Sequence, residues 1–219
     1  MSRLRRAIEG FEAFVDRPLY LWTRPVLLLL LVPLALAFFR PLWAVELESP
    51  HHPDGLWLDV YVTRIASGHD GADLVKINAL HQTIGMQTLD ARTLGDLDWL
   101  PFGFGVLGLL TLRVAVLGNV RALIDAAVLG GYFVLFTLAR FAHKLHVLGH
   151  QLSPDAPSPV APFSPVVMGT QKIGDISVHA GPGAGTWLAG AFFAGLAAIT
   201  VWHLVRGKRE AARMDEAGG

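Results

Sequence analysis

Four stretches of this chain are so predominantly apolar that water cannot be their solvent. They cover residues 25–43, 99–118, 122–145 and 184–205, and about 20 mostly apolar residues suffice to cross a bilayer as a helix. From Val26 to Phe39 the first carries no charge, and Arg40 follows where a long cationic side chain can reach the polar boundary. The second and third are separated only by residues 119–121, which makes them a helical hairpin. The expected fold is an all-α membrane protein with four transmembrane helices. A small mixed cap of one short strand, short helices and a Pro/Gly-rich loop lies outside the membrane in this reading.

Composition narrows the functional classes. Charged residues make up 16% of the 219 positions and hydrophobic ones 53%, against roughly 25% charged in a soluble domain. Eighteen Lys and Arg balance eighteen Asp and Glu, so the overall basic character that nucleic-acid binding requires is missing. The cysteine count is zero. That removes disulfides, thiolate nucleophiles, iron–sulfur clusters and the covalent attachment of c-type haem. Any metal must use His, Met, carboxylate or backbone ligands.

Orientation follows from the cations near the ends of the spans. With both termini inside, the inner side (residues 1–24, 119–121 and 206–219, with Arg113) holds eleven Lys and Arg, and the outer side holds seven. Acidic residues run the other way, seven inside with Asp125 counted there and eleven outside. The expected location is a bacterial inner membrane, crossed several times, with both termini cytoplasmic. The Arg-rich start and Leu34-Ala35-Leu36-Ala37 also fit a cleaved signal peptide. A polar lead of about two dozen residues is long for a signal sequence and favours an uncleaved anchor. Arg113 and Asp125 flank the hairpin turn and are expected to pair across it.

Two outer segments remain, residues 44–98 and 146–183. The first opens with a turn-rich run bounded by Pro50, Pro53 and Gly55. Leu56, Leu58, Val60 and Val62 then alternate on one face, as in a half-buried strand. Asp73 to His81 suits a short helix ended by Gly85, and residues 90–98 offer one or two further helical turns. The second segment has prolines at 154, 157, 159, 162 and 165 and glycines at 169, 174, 181 and 183. It also carries Phe163, Val166, Val167, Met168, Ile173 and Ile176, so it is expected to lie against the first segment as an extended cover.

The histidines are the most informative polar residues. Eight of nine (His51, His52, His69, His81, His143, His146, His150 and His179) fall outside or at the outer edge, and only His203 lies near the inner edge. His143, His146 and His150 are spaced by three and four residues, so a continuing helix places them within about 60° of one another. Beside ligation stands the plainer reading of a polar interfacial helix end, with Arg140 and Lys144 as further anchors. His81 and Met86 form a second candidate, with Gly85 freeing the backbone between them; a surface His next to a packed Met is the plain alternative. Imidazole and thioether without thiolate are what an oxidising compartment offers copper. A haem near the outer face, held by His143 or His146 with His81 or Met86, or a bound quinone, is the alternative cofactor. No nucleotide fingerprint or recognisable catalytic triad is present, so no catalysis is assigned.

The run Ile77-Asn78-Ala79-Leu80-His81-Gln82-Thr83-Ile84-Gly85-Met86, preceded by Leu47-Glu48-Ser49-Pro50 and Pro53-Asp54-Gly55-Leu56, resembles small integral membrane proteins of the nitrous oxide reductase gene cluster. The likeness extends to residues 165–169 and the Pro182-Gly183 turn, about two thirds of the chain. His81 stands where that family has Asn, and Gln82 where it has His, which leaves open whether His81 is the equivalent ligand. The resemblance implies a role in denitrification as membrane partner of a periplasmic copper enzyme or its accessory proteins, through maturation or electron supply. Together these readings give a non-catalytic membrane protein whose outer His/Met cap binds copper or docks such an enzyme. In that picture His143, His146 and His150 form a ligand rail that His81 and Met86 close from above. A haem- or quinol-binding electron-transfer subunit and a structural scaffold subunit are the alternatives.

Overall fold

The computed structural model describes the backbone of residues 12, 14–50, 52–89 and 98–217. His51, most of the basic N-terminal lead and nearly all of the helical turns expected at 90–98 lie outside the described residues. Among the described residues, three helices are long and apolar enough to cross a membrane: α3 (Leu100–Leu117), α4 (Val120–His150) and α5 (Ala184–Ala217), whose apolar part is Ala184–Gly207. The first apolar run gives a shorter helix, α1 (Thr23–Phe38), of 16 residues. A run expected to stay helical to residue 43 breaks earlier because the backbone turns into a strand at Trp43. Large apolar side chains stand in the open along these helices, among them Phe102, Leu109, Leu135 and Trp187, each at least 66% exposed. Such a coat needs a hydrocarbon solvent. This is the build of a membrane-embedded protein with a small mixed cap.

The chain divides into two compact units. The first holds residues 1–35, 104–133 and 189–219, which include most of the apolar helix residues. Its interior contains Leu27, Leu107, Leu123, Phe192 and Leu196. Thr23 Oγ1 and His203 Nε2 share a hydrogen bond of 3.0 Å there, both side chains being buried. The expected Arg113–Asp125 pair does not form among the described residues: both side chains are exposed. Arg121 instead reaches Asp16 at 3.1 Å.

The second unit, residues 36–103 and 134–188, is the cap with the helix ends that carry it. It is more regular than the expected cap of one short strand, short helices and a Pro/Gly-rich loop. Five strands, β1 (Trp43–Ser49), β2 (His52–Val60), β3 (Ile65–Ser67), β4 (Gly169–Ile173) and β5 (Ile176–Pro182), form an antiparallel sheet in the order β3-β2-β1-β5-β4. β1 is the middle strand. Trp43, Val45 and Leu47 alternate with Ala44, Glu46 and Glu48, and the ladder pairs Val45 with Leu58 on one side and with Ala180 on the other. Pro53 sits inside β2 because β3 covers only Leu58–Val60, which leaves the early part of β2 as an edge that needs no donor there. The inner face of the sheet, Val45, Leu47, Leu56, Leu58 and Ala180, packs on Ile77, Leu89 and Leu148.

Helix α2 (Ala72–Ile84) lies under this face and ends, as expected, where Gly85 adopts a left-handed conformation at φ 85°. A tight turn, His69–Gly71, precedes it, with His69 and Asp70 both at positive φ. Asp73 is fully buried and holds this corner together. Its carboxylate accepts the Trp57 backbone N–H at 3.3 Å and pairs with His69 Nδ1 at 3.0 Å, with Lys76 Nζ at 3.9 Å. Burial alone would raise the Asp73 carboxyl, but these donors and cations outweigh it and hold the group below its ordinary value. Replacing Asp73 by Ala strands the Trp57 amide and removes the anchor of two left-handed residues. The expected loss is about 1–3 kcal/mol of cap stability, seen as faster hydrogen exchange in peptides covering 55–84 with exchange in α3 unchanged.

Candidate functional site

Helix α4 runs past its apolar stretch to His150 and divides its last turns between two faces. Phe141, Lys144, Leu145 and Leu148 look into the cap, with Leu145 and Leu148 buried. At 100° per residue, His143, His146 and His150 fall on the opposite side, and all three are exposed. The imidazoles of His146 and His150 stack at 3.7 Å between centroids, tilted by 30°. His150 Nδ1 donates to the His146 carbonyl at 2.9 Å, so its Nε2 carries the free lone pair. Ser164 Oγ lies 3.5 Å from His146 Nδ1.

His81 and Met86 stand elsewhere. Both line a cavity of about 110 Å³ between the inner face of the sheet, α2, the inner side of α4 and the Pro-rich segment. Its wall includes Trp43, Val45, Ile77, Phe141, Leu148, Phe163 and Val178. The His81 side chain is 9% exposed. Its Nδ1 donates to the Gln87 carbonyl at 3.3 Å, and burial moves the imidazole below its ordinary pKa, partly countered by that hydrogen bond. His81 is therefore neutral near pH 7.

The expected closure of the histidine rail by His81 and Met86 is not formed: α4 separates the two sets, one facing the cavity and one facing away from it. Among the described residues no group of three or more His, Asp or Glu side chains is arranged to hold a metal. A cavity of this size takes a single ring and not a porphyrin. His179 is on the outer face of the sheet, with Nδ1 2.8 Å from Thr170 Oγ1 and Nε2 3.9 Å from Glu48. His69 belongs to the Asp73 corner, and His52 opens β2 opposite Ser49.

The Pro-rich segment is a strap over this site. Ser153 N–H donates to the Gly85 carbonyl at 2.8 Å, Ser158 N–H to Thr83 at 2.9 Å and Phe163 N–H to Gly149 at 3.0 Å, and Trp43 Nε1 donates to the Val167 carbonyl at 2.9 Å. Gly149 permits the approach, since a Cβ there would collide with the Phe163 carbonyl. The residues that sequence reasoning passed over are the cavity walls, Trp43 and Phe141 among them, and Lys144, expected as an interfacial anchor, lines the cavity too. The signal for the first was the alternation from Trp43 to Ser49. The signal for the others was the spacing of Phe141, Leu145 and Leu148.

Comparison with known proteins adds no assignment: no family model matches the chain, and no curated protein is significantly similar to it.

The buried His81 gives a pH dependence of definite sign. The unfolded chain protonates this imidazole near pH 6.5 and the folded cap only at a lower pH, so stability falls as pH drops below about 6.5 toward the folded value. Melting of the cap between pH 7.5 and 5.5, followed by tryptophan fluorescence, should shift less in His81→Gln than in the parent. An equal shift in both would assign the dependence to other groups.

Proposed function

We propose that this chain is a non-catalytic protein of a bacterial inner membrane, with four spans and both termini in the cytoplasm. Its periplasmic cap meets a copper enzyme, or an accessory protein of one, through the face of His143, His146 and His150. The observation that carries the reading is the division of α4. One face is fixed in the cap core by Leu145 and Leu148, which leaves three imidazoles exposed on a rigid support.

Neutral imidazole suits copper, and His150 Nε2 has its lone pair available because Nδ1–H is spent on the helix backbone. Stacked rings present their lone pairs side by side rather than convergent. Joint ligation by His146 and His150 therefore requires one ring to rotate, and a partner completes the coordination. An incomplete, exposed ligand set of this kind favours transfer over storage. The motif around Asn78 and Met86 supports the same partner class by resemblance, in maturation or electron supply during nitrous oxide reduction.

Copper and iron per chain, measured with an absorption spectrum on protein purified in mild detergent from its native membranes, test the reading. Copper near one per chain is expected, and a His143, His146 and His150 triple Ala variant should lose it. Iron with a Soret band would favour a haem-bearing electron-transfer subunit. Neither metal, in a folded protein that still retains a partner, would leave a structural subunit.

A further inference from the structure

The strap and the sheet border a space for which the histidine face has no use. We propose that the cavity beneath the cap sheet is a binding site for a small uncharged hydrocarbon group, about the size of one six-membered ring or one branched five-carbon unit. Its volume is about 110 Å³, and an engineered apolar cavity of about 150 Å³ in another protein stays dry and admits benzene or xenon.

The walls set the chemistry. Only His81 and Lys144 among the lining side chains bear a nitrogen other than the indole of Trp43. The Trp43 Nε1–H is spent on Val167, and His81 Nδ1 on Gln87. The polar tips of these side chains, the Lys144 ammonium included, contribute almost nothing to the surface that faces the space, which is apolar throughout. A water molecule needs two to four polar partners to be held, and a charged or strongly polar ligand needs more, so neither finds them on this surface. The walls are also kept apart independently of any content. The ladder on both sides of β1 fixes the sheet, Asp73 fixes the start of α2, and the hydrogen bonds of Ser153, Ser158 and Phe163 fix the strap. A space held open in this way by three elements, with α4 as its fourth wall, is a receptor for an apolar group rather than a gap left by loose packing.

Such a group has two sources, the end of a lipid acyl or isoprenoid chain and a free small hydrophobic molecule. Five isoleucines, Ile65, Ile77, Ile84, Ile173 and Ile176, line the cavity and supply reporters, while Ile124 and Ile199 lie in α4 and α5, outside the lining. The full chain, isoleucine-methyl-labelled in lipid nanodiscs, is titrated with xenon gas and read by NMR. A parallel organic extract of the protein from its native membranes is analysed by mass spectrometry. Saturable shifts are expected at the lining methyls and not at Ile124 or Ile199, and Val178→Phe, which fills the space, should abolish them. Val178→Ile, a smaller filling, should weaken them and serves if the Phe variant does not fold. The extract should contain one apolar molecule enriched in the parent over the filled variant. A lipid identifies the first source and a small hydrophobic compound the second. Lining methyls that respond no more than Ile124 and Ile199, shifts that survive in a folded filled variant, or an extract without such enrichment overturns the proposal.

Discussion

The cap depends on the hydrogen bonding of one strand along both of its edges. β1 leaves the end of α1 and pairs with β2, its neighbour in sequence, and with β5, more than a hundred residues away. β5 then leads directly into α5. The junction is closed by Gly183 N–H on the Leu42 carbonyl and Gly185 N–H on the Pro41 carbonyl, both within 2.9 Å. A chain emerging from an apolar helix must satisfy its backbone groups at once, because no water is at hand on the lipid side of that boundary. The ladder does so for two segments together and turns two separate outer stretches into one sheet with one buried face.

That buried face explains the remainder of the cap. A five-stranded sheet is wider than the 13-residue helix α2. The last turns of α4 and the proline-rich strap complete the cover, Leu148 from the helix and Phe163, Pro165 and Val166 from the strap. Prolines suit the strap because they stiffen an extended path whose few backbone donors are used at Gly85, Thr83 and Gly149. The same geometry obliges α4 to have two characters. Packing takes Phe141, Leu145 and Leu148, and the histidines are left on the side that nothing in the described chain covers.

The apolar helices were legible in the sequence because a stretch of about 20 residues with a strong apolar majority and few charges has few other meanings. The strand at Leu56–Val60 and the helix ending at Gly85 were legible through period and punctuation. β1 was misread as turn because Pro50, Pro53 and Gly55 outweighed the alternation just before them, and its second partner is invisible to any local rule. β4 and β5 were obscured by the glycines and prolines around them. The separation of the histidine rail from His81 and Met86 could have been drawn from the spacing of Leu145 and Leu148, which place the core side of α4 opposite His143. The cavity could not, since periodicity shows which side chains turn inward and not how well they fill the space between them.

The central claim is that the cap stands on the periplasmic side of the membrane, carried by helices whose short connection at Asn119 faces the cytoplasm. The chain contains no cysteine, so single cysteines can be introduced without further change. The most direct measurement is labelling of Glu48→Cys, Lys172→Cys and Arg121→Cys by a membrane-impermeant maleimide in intact spheroplasts and after permeabilisation. The account predicts that the positions at 48 and 172 are labelled in intact spheroplasts and position 121 only after permeabilisation. Labelling of 121 in intact spheroplasts, with 48 and 172 protected, would contradict it.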